Sequence, residues 1–156
     1  MKHIYFAYGS NLNKAQMKLR CPNAELVDTG IIKDYRLIFR RVADIMYDPY
    51  CDEHVEIGIW KITDQCLEAL DVYEGYPSLY RRETLEAESN SGWGTWQGIT
   101  YLMNSNSYAL PSPDYYGAIE QGYADCDLDF SKLQQGLHDT MIDVGKQGRD
   151  IFYRYA

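Results

Sequence analysis

A chain of 156 residues, 46% hydrophobic and 24% charged, is composed for a globular fold, and its length predicts one domain over residues 1–156 that needs no staples. Its formal charge of −8 argues against nucleic acid and anionic membrane surfaces as partners. The same charge favours the approach of a cationic small molecule, and it also simply keeps a chain soluble. The 15 tyrosines favour strands and a wet, aromatic pocket. Cys21, Cys51, Cys66 and Cys126 form no CxxC pair, and their spacings of 30, 15 and 60 fit no common zinc pattern. With no signal peptide or long apolar run to read, the expectation is reduced thiols in a cytoplasm.

In chain order, residues 3–8 read as a strand that breaks into Gly9-Ser10-Asn11. Glycine there admits dihedrals closed to other residues and brings backbone N–H groups close to a ligand. Asn11 or Asn13 caps a short helix from Lys14 to Arg20, ended by Cys21-Pro22. Donors at a helix start suit a carboxylate or phosphate, although Gly-Ser-Asn is also ordinary loop chemistry. Ala24 to Ile45 is strand-like, with a turn at Asp34. A polar loop from Tyr47 to Glu53 leads to a strand in which Val55, Ile57 and Ile59 alternate with Glu56, Gly58 and Trp60.

Thr63 or Asp64 caps a second helix that runs to about Tyr73 or Glu74 and stops at Gly75 and Pro77. Tyr80–Glu86 and Thr95–Met103 read as strands around a turn at Ser89–Gly94. After a loop from Asn104 to Pro111, Ser112 caps a helix with Pro113 at its first position. The last helix begins with Phe130, cap Ser131 and Gln134, a capping box. Leu133, Leu137, Met141 and Val144 line one face and Gly145 ends it. Residues 146–156 read as a polar, then aromatic tail with the character of a short strand. Strands in runs, not in strict alternation with helices, indicate an α+β fold.

One carboxylate stands out. Leu67, Leu70 and Glu74 are three and four apart and share a helix face. Glu74 therefore extends an apolar stripe and occupies the last turn, where a negative charge opposes the helix dipole. Desolvation and the dipole both raise its pKa, which makes it a candidate general acid/base. The same spacing also fits a Glu that turns to solvent at a fraying helix end. Ser10 has no matched His and acid, His3, His54 and His138 are scattered as surface or packing residues, and the cysteines lack an activating neighbourhood.

Three stretches resemble the γ-glutamylcyclotransferase family in order and spacing over about residues 4–128. Tyr5-Phe6-Ala7-Tyr8-Gly9-Ser10-Asn11-Leu12 is similar to its signature loop. Asp71-Val72-Tyr73-Glu74-Gly75-Tyr76 is similar to the segment with its catalytic glutamate. Ser112-Pro113-Asp114-Tyr115 is similar to its later proline-tyrosine element, with Tyr101-Leu102-Met103 as the strand before it. The resemblance implies a mixed, barrel-like sheet flanked by helices. It implies that Tyr5, Phe6, Ala7, Tyr8, Gly9 and Ser10 hold a γ-glutamyl group, that Glu74 is the catalytic acid/base and that Tyr115 contacts substrate. Asn11 and Tyr101 join them by proximity to the motifs, and Tyr115 and Tyr116 compete for the pocket.

The implied reaction releases 5-oxoproline and a free amine, with no cofactor and no metal. The expected partner is a small γ-glutamyl compound. Its amine portion is open: an amino acid, a lysine side chain, or a cationic natural product such as an aminoglycoside antibiotic precursor. Competing readings are a non-catalytic γ-glutamyl-binding module and an amidase that releases glutamate. Monomer and homodimer are both compatible with the tyrosine-rich faces.

Overall fold

The computed structural model describes residues 2–155, with side chains placed for residues 2–147. Strand β1 (Lys2–Ala7) enters a 3-10 turn at Ser10–Leu12 and helix α1 (Lys14–Arg20). Strands β2 (Glu25–Lys33), β3 (Tyr35–Arg40), β4 (Val42–Tyr47) and β5 (His54–Thr63) precede helix α2 (Asp64–Glu74). Strands β6 (Tyr80–Ser89) and β7 (Thr95–Met103) and helices α3 (Pro113–Asp125) and α4 (Phe130–Tyr155) complete the order. The architecture is the expected α+β one.

Five strands close into a barrel in the order β1-β5-β2-β6-β7. Antiparallel ladders join four of the neighbouring pairs. The barrel shuts through a parallel contact of β1 with β7 at Tyr5 and Ile99. Closure leaves the barrel without free edges. Phe6, Ile32, Ile57, Ile59, Ile62 and Tyr101 are among the buried side chains of the core. Strands β3 and β4 form a separate two-stranded ribbon. It turns at Arg41 (φ 73°), and no glycine or proline announces that break in the Tyr35–Ile45 run.

Several local features follow the sequence closely. Asn13 caps α1, its Oδ1 accepting the Gln16 N–H at 3.1 Å. Thr63 caps α2 through the Cys66 N–H at 3.1 Å, and Gly75 closes that helix in the left-handed region with φ 67°. Ser112 caps α3 with Pro113 in its first turn.

The last helix departs from expectation. Its cap is Asp129, not Ser131: Asp129 Oδ1 accepts the Ser131 N–H at 3.0 Å and the Ser131 hydroxyl at 2.7 Å. Gly145 does not end it, and the expected short strand after residue 146 is helix to Tyr155. A glycine inside a helix costs only about 1 kcal/mol. Tertiary bonds offset this, with Arg36 paired to Asp143 at 3.6 Å and Gln147 exchanging two hydrogen bonds with the Tyr108 backbone. Met141 is exposed, while Leu133, Gly136 and Thr140 take the inner face. The side chains of the aromatic tail after residue 147 lie outside the described residues.

The cysteine reading also changes. Cys21, which caps the end of α1, and Cys66, in the first turn of α2, form a disulfide with their Cα atoms 5.1 Å apart. Their separation of 45 residues carried no local signal. Cys51 and Cys126 are free, and burial pushes the Cys126 thiol up to about 11. Among the described residues no helix is long and apolar enough to cross a membrane.

Candidate active site

A cavity of about 210 Å³ opens where the 3-10 turn, the end of α2, the β3–β4 ribbon and α3 converge. Tyr5, Tyr8, Gly9, Ser10, Asn11, Glu74, Tyr101 and Tyr115 line it. Phe6 and Ala7, expected with them, are buried in the core instead; Phe6 presents its backbone oxygen to the Thr100 hydroxyl at 3.0 Å. Tyr115, not Tyr116, is at the cavity, because Tyr116 packs against the Phe39 ring with centroids 6.0 Å apart.

Glu74 is the last residue of α2, half-buried, with its carboxylate at the cavity wall. Among the described residues nothing donates a hydrogen bond to it. Burial raises its pKa from 4.5 to about 7, against a lowering pull from Arg20. Desolvation therefore accounts for a carboxyl poised near neutrality.

Phenols surround this carboxyl, and each is fixed by a backbone or side-chain partner. The Tyr8 hydroxyl donates to the Tyr101 carbonyl at 2.5 Å. The Tyr80 hydroxyl donates to the Ala43 carbonyl at 3.0 Å, and the Ala43 N–H donates to the Tyr115 oxygen at 2.9 Å. One residue of the ribbon thus orients two cavity phenols. The Tyr101 hydroxyl donates to Asp71 Oδ1 at 2.6 Å, and the Tyr5 oxygen accepts from Asn11 Nδ2 at 2.9 Å. Burial raises the pKa of Tyr5, Tyr8, Tyr80 and Tyr101 well above the ordinary phenol value and that of Tyr115 to about 12. All of them keep their protons at neutral pH, and Tyr5 and Tyr115, whose oxygens accept from Asn11 and Ala43, have their O–H groups free for a ligand.

Gly9 is needed for proximity and not for an unusual dihedral, since its φ is −122°. A Cβ there would stand 3.1 Å from Ala43 Cβ and 3.4 Å from the Tyr115 oxygen. The turn that follows ties the Leu12 N–H to the Gly9 carbonyl and the Asn13 N–H to that of Ser10. The Ser10 and Asn11 amides have no hydrogen-bond partner among the described residues, the normal state of the first donors in such a turn.

Sequence reasoning missed Val42, Ala43, Tyr73, Leu79 and Tyr80 in the lining. The ribbon residues carry no chemical signal of their own, and only the Tyr73-Glu74 adjacency was available to suggest Tyr73.

The rim of the barrel thus gathers a desolvated carboxyl, protonated phenols and two unpartnered backbone amides around one small cavity, an arrangement chemically suited to acid–base work. The sequence pattern described as "Gamma-glutamyl cyclotransferase, AIG2-like" matches residues 5–121, and the chain belongs to that family. Human gamma-glutamylcyclotransferase is 30% identical over 135 residues, 76% of this chain and 69% of the human one. The mouse gamma-glutamylcyclotransferase is 29% identical over 93% of this chain and 88% of its own length. A solved gamma-glutamyl cyclotransferase structure superposes with a TM-score of 0.78 at 26% identity, covering 86% of each chain.

Proposed function

We propose that this chain is an enzyme that cyclises γ-glutamyl amides to 5-oxoproline. The observation that carries this reading is Glu74, a half-buried carboxyl with its pKa near 7 and no hydrogen-bond partner among the described residues, at the wall of a phenol-lined cavity. The substrate's α-amine nitrogen attacks its own γ-carbonyl carbon. A new C–N bond closes the five-membered ring, and the bond to the attached amine breaks. The attacking amine gives one proton to Glu74, and the leaving nitrogen takes one from it, so the carboxylate is regenerated. Folding the substrate into a near-attack geometry supplies much of the rate.

The residues that support this assignment divide by chemistry. The Ser10 and Asn11 amides suit the α-carboxylate or the oxyanion of the tetrahedral intermediate. The Tyr5 and Tyr115 phenols suit the polar ends of the γ-glutamyl group, and Tyr8 and Tyr101 shape the wall between them. Tyr73 and Leu79, exposed residues of the lining, and Val42 beside them suit the leaving amine portion.

The test is incubation with two γ-glutamyl amino acids, a γ-glutamyl adduct of the lysine side chain and a γ-glutamyl aminoglycoside, with 5-oxoproline read by mass. The expected result is 5-oxoproline from at least one of them, absent with Glu74→Gln. A preference for the cationic adducts that weakens with salt would tie the −8 charge to substrate choice. Undiminished turnover in Glu74→Gln removes Glu74 from the reaction.

A further inference from the structure

Arg20 does not line the cavity, yet it touches two residues that do. It is the last residue of α1 and is half-buried. Its Nη1 donates to Asn11 Oδ1, and its Nη2 donates to Gln16 Oε1 at 3.1 Å. Its guanidinium carbon lies 3.7 Å from the centre of the Tyr73 ring, a cation–π contact.

Each contact has a consequence inside the cavity. With its oxygen taken by Arg20, the Asn11 amide turns its NH2 toward Tyr5 and donates to the phenol oxygen at 2.9 Å. A phenol oxygen that accepts there directs its own hydrogen elsewhere. On the other side, Tyr73 directly precedes Glu74 in the final turn of α2. Stacking on its ring holds the end of the helix that carries the carboxyl. One planar, forked cation thus joins the two walls of the site, a role that a point-charge ammonium does not reproduce.

We propose that Arg20 is a positioning residue of this site, aligning the Tyr5 hydroxyl and the Glu74 carboxylate on one substrate through Asn11 and Tyr73. The proposal rests on the reading that Glu74 moves the proton. Its charge acts in the same direction as its geometry. The groups whose charge is coupled to Glu74 across the cavity are the phenols of Tyr5 from β1, Tyr8 just after β1, Tyr80 from β6 and Tyr115 from α3, with Arg20 from α1. Asp44 stands behind Tyr8 and Tyr80, Tyr73 flanks Tyr5 and Tyr115, and Asp71 with Arg82 stands behind Tyr101. Arg20 is the cation whose field favours ionised Glu74.

The experiment titrates the Glu74 carboxyl carbon by NMR in protein labelled with 13C-glutamate, the resonance assigned by its loss in Glu74→Gln. Wild type is compared with Arg20→Gln and Arg20→Lys, and turnover is measured on the same samples. Arg20→Gln is expected to raise the titration midpoint and to lower kcat by roughly tenfold to a hundredfold through misplacement. Arg20→Lys is expected to hold the midpoint near wild type while kcat still falls, because the charge survives and the fork does not. An unchanged midpoint in Arg20→Gln overturns the electrostatic half, and wild-type kcat in Arg20→Lys overturns the geometric half. If Arg20→Gln does not fold, Arg20→Lys alone decides. The titration needs no turnover: a raised midpoint in a protein that forms no 5-oxoproline upholds the coupling of Arg20 to Glu74 and refutes the enzymatic reading.

Discussion

Replacing Glu74 with Gln should make the protein more stable above neutral pH. The carboxyl is held at the cavity wall with a pKa raised from 4.5 to about 7 by burial. The folded chain therefore binds this proton more tightly than the unfolded chain does. Its contribution to stability is fully present below about pH 4.5 and is lost as pH rises through about 7. At about 1.4 kcal/mol per factor of ten in proton affinity, the ionised carboxylate costs the folded state about 3 kcal/mol. Glu74 is only half-buried, so solvent screening reduces this to about 2 kcal/mol. Gln keeps the shape and has no charge to desolvate. In urea denaturation the midpoint of Glu74→Gln should lie above wild type by about 1 M at about pH 8.5, and the two should converge at about pH 4.5. A Gln variant equal to or weaker than wild type at the higher pH would mean that the carboxylate is well solvated, and the argument for a tuned acid would fail.

Three further outcomes follow from the site. The acid limb of kcat/KM for 5-oxoproline formation should have its midpoint near 7, to which burial raises Glu74, with activity falling as the carboxylate is protonated; a limb near 4.5 would contradict this. Gly9→Ala puts a methyl 3.1 Å from Ala43 Cβ and 3.4 Å from the Tyr115 oxygen. It should destabilise by about 1 kcal/mol in urea and lower kcat/KM through the displaced phenol. Asp44→Ala leaves Arg40 buried without its 2.8 Å partner and frees the Met103 N–H. It should cost about 3 kcal/mol in thermal or urea unfolding, and the loosened neighbour Ala43 should reduce turnover as well.

The parts of the molecule written in local chemistry were legible in the sequence. Asn13, Thr63, Gly75 and Ser112 each act through a bond to a residue two to four positions away, and capping chemistry is local. Glu74 was legible for a related reason: helical spacing set it on the inward face, and burial then raised its pKa. What the sequence did not display depends on contacts between distant segments. The barrel is closed by β1 against β7, about ninety residues apart by the Tyr5–Ile99 register. The ribbon supplies Ala43 to Tyr80 and Tyr115 through backbone atoms, and any residue type has those. Gln147 carries α4 past Gly145 by reaching Tyr108, so a tertiary bond overrode a local stop signal. Phe6 and Ala7 lie inside a motif that resembles a ligand loop, yet the strand that carries them buries both in the core.

The central claim is that the substrate's own amine, and not water, attacks the γ-carbonyl. The most direct test runs the reaction in water enriched in 18O and weighs the product. Cyclisation retains the original carbonyl oxygen and yields 5-oxoproline without label. Labelled glutamate, or 5-oxoproline that carries the label, would show that water attacked first and would contradict the account.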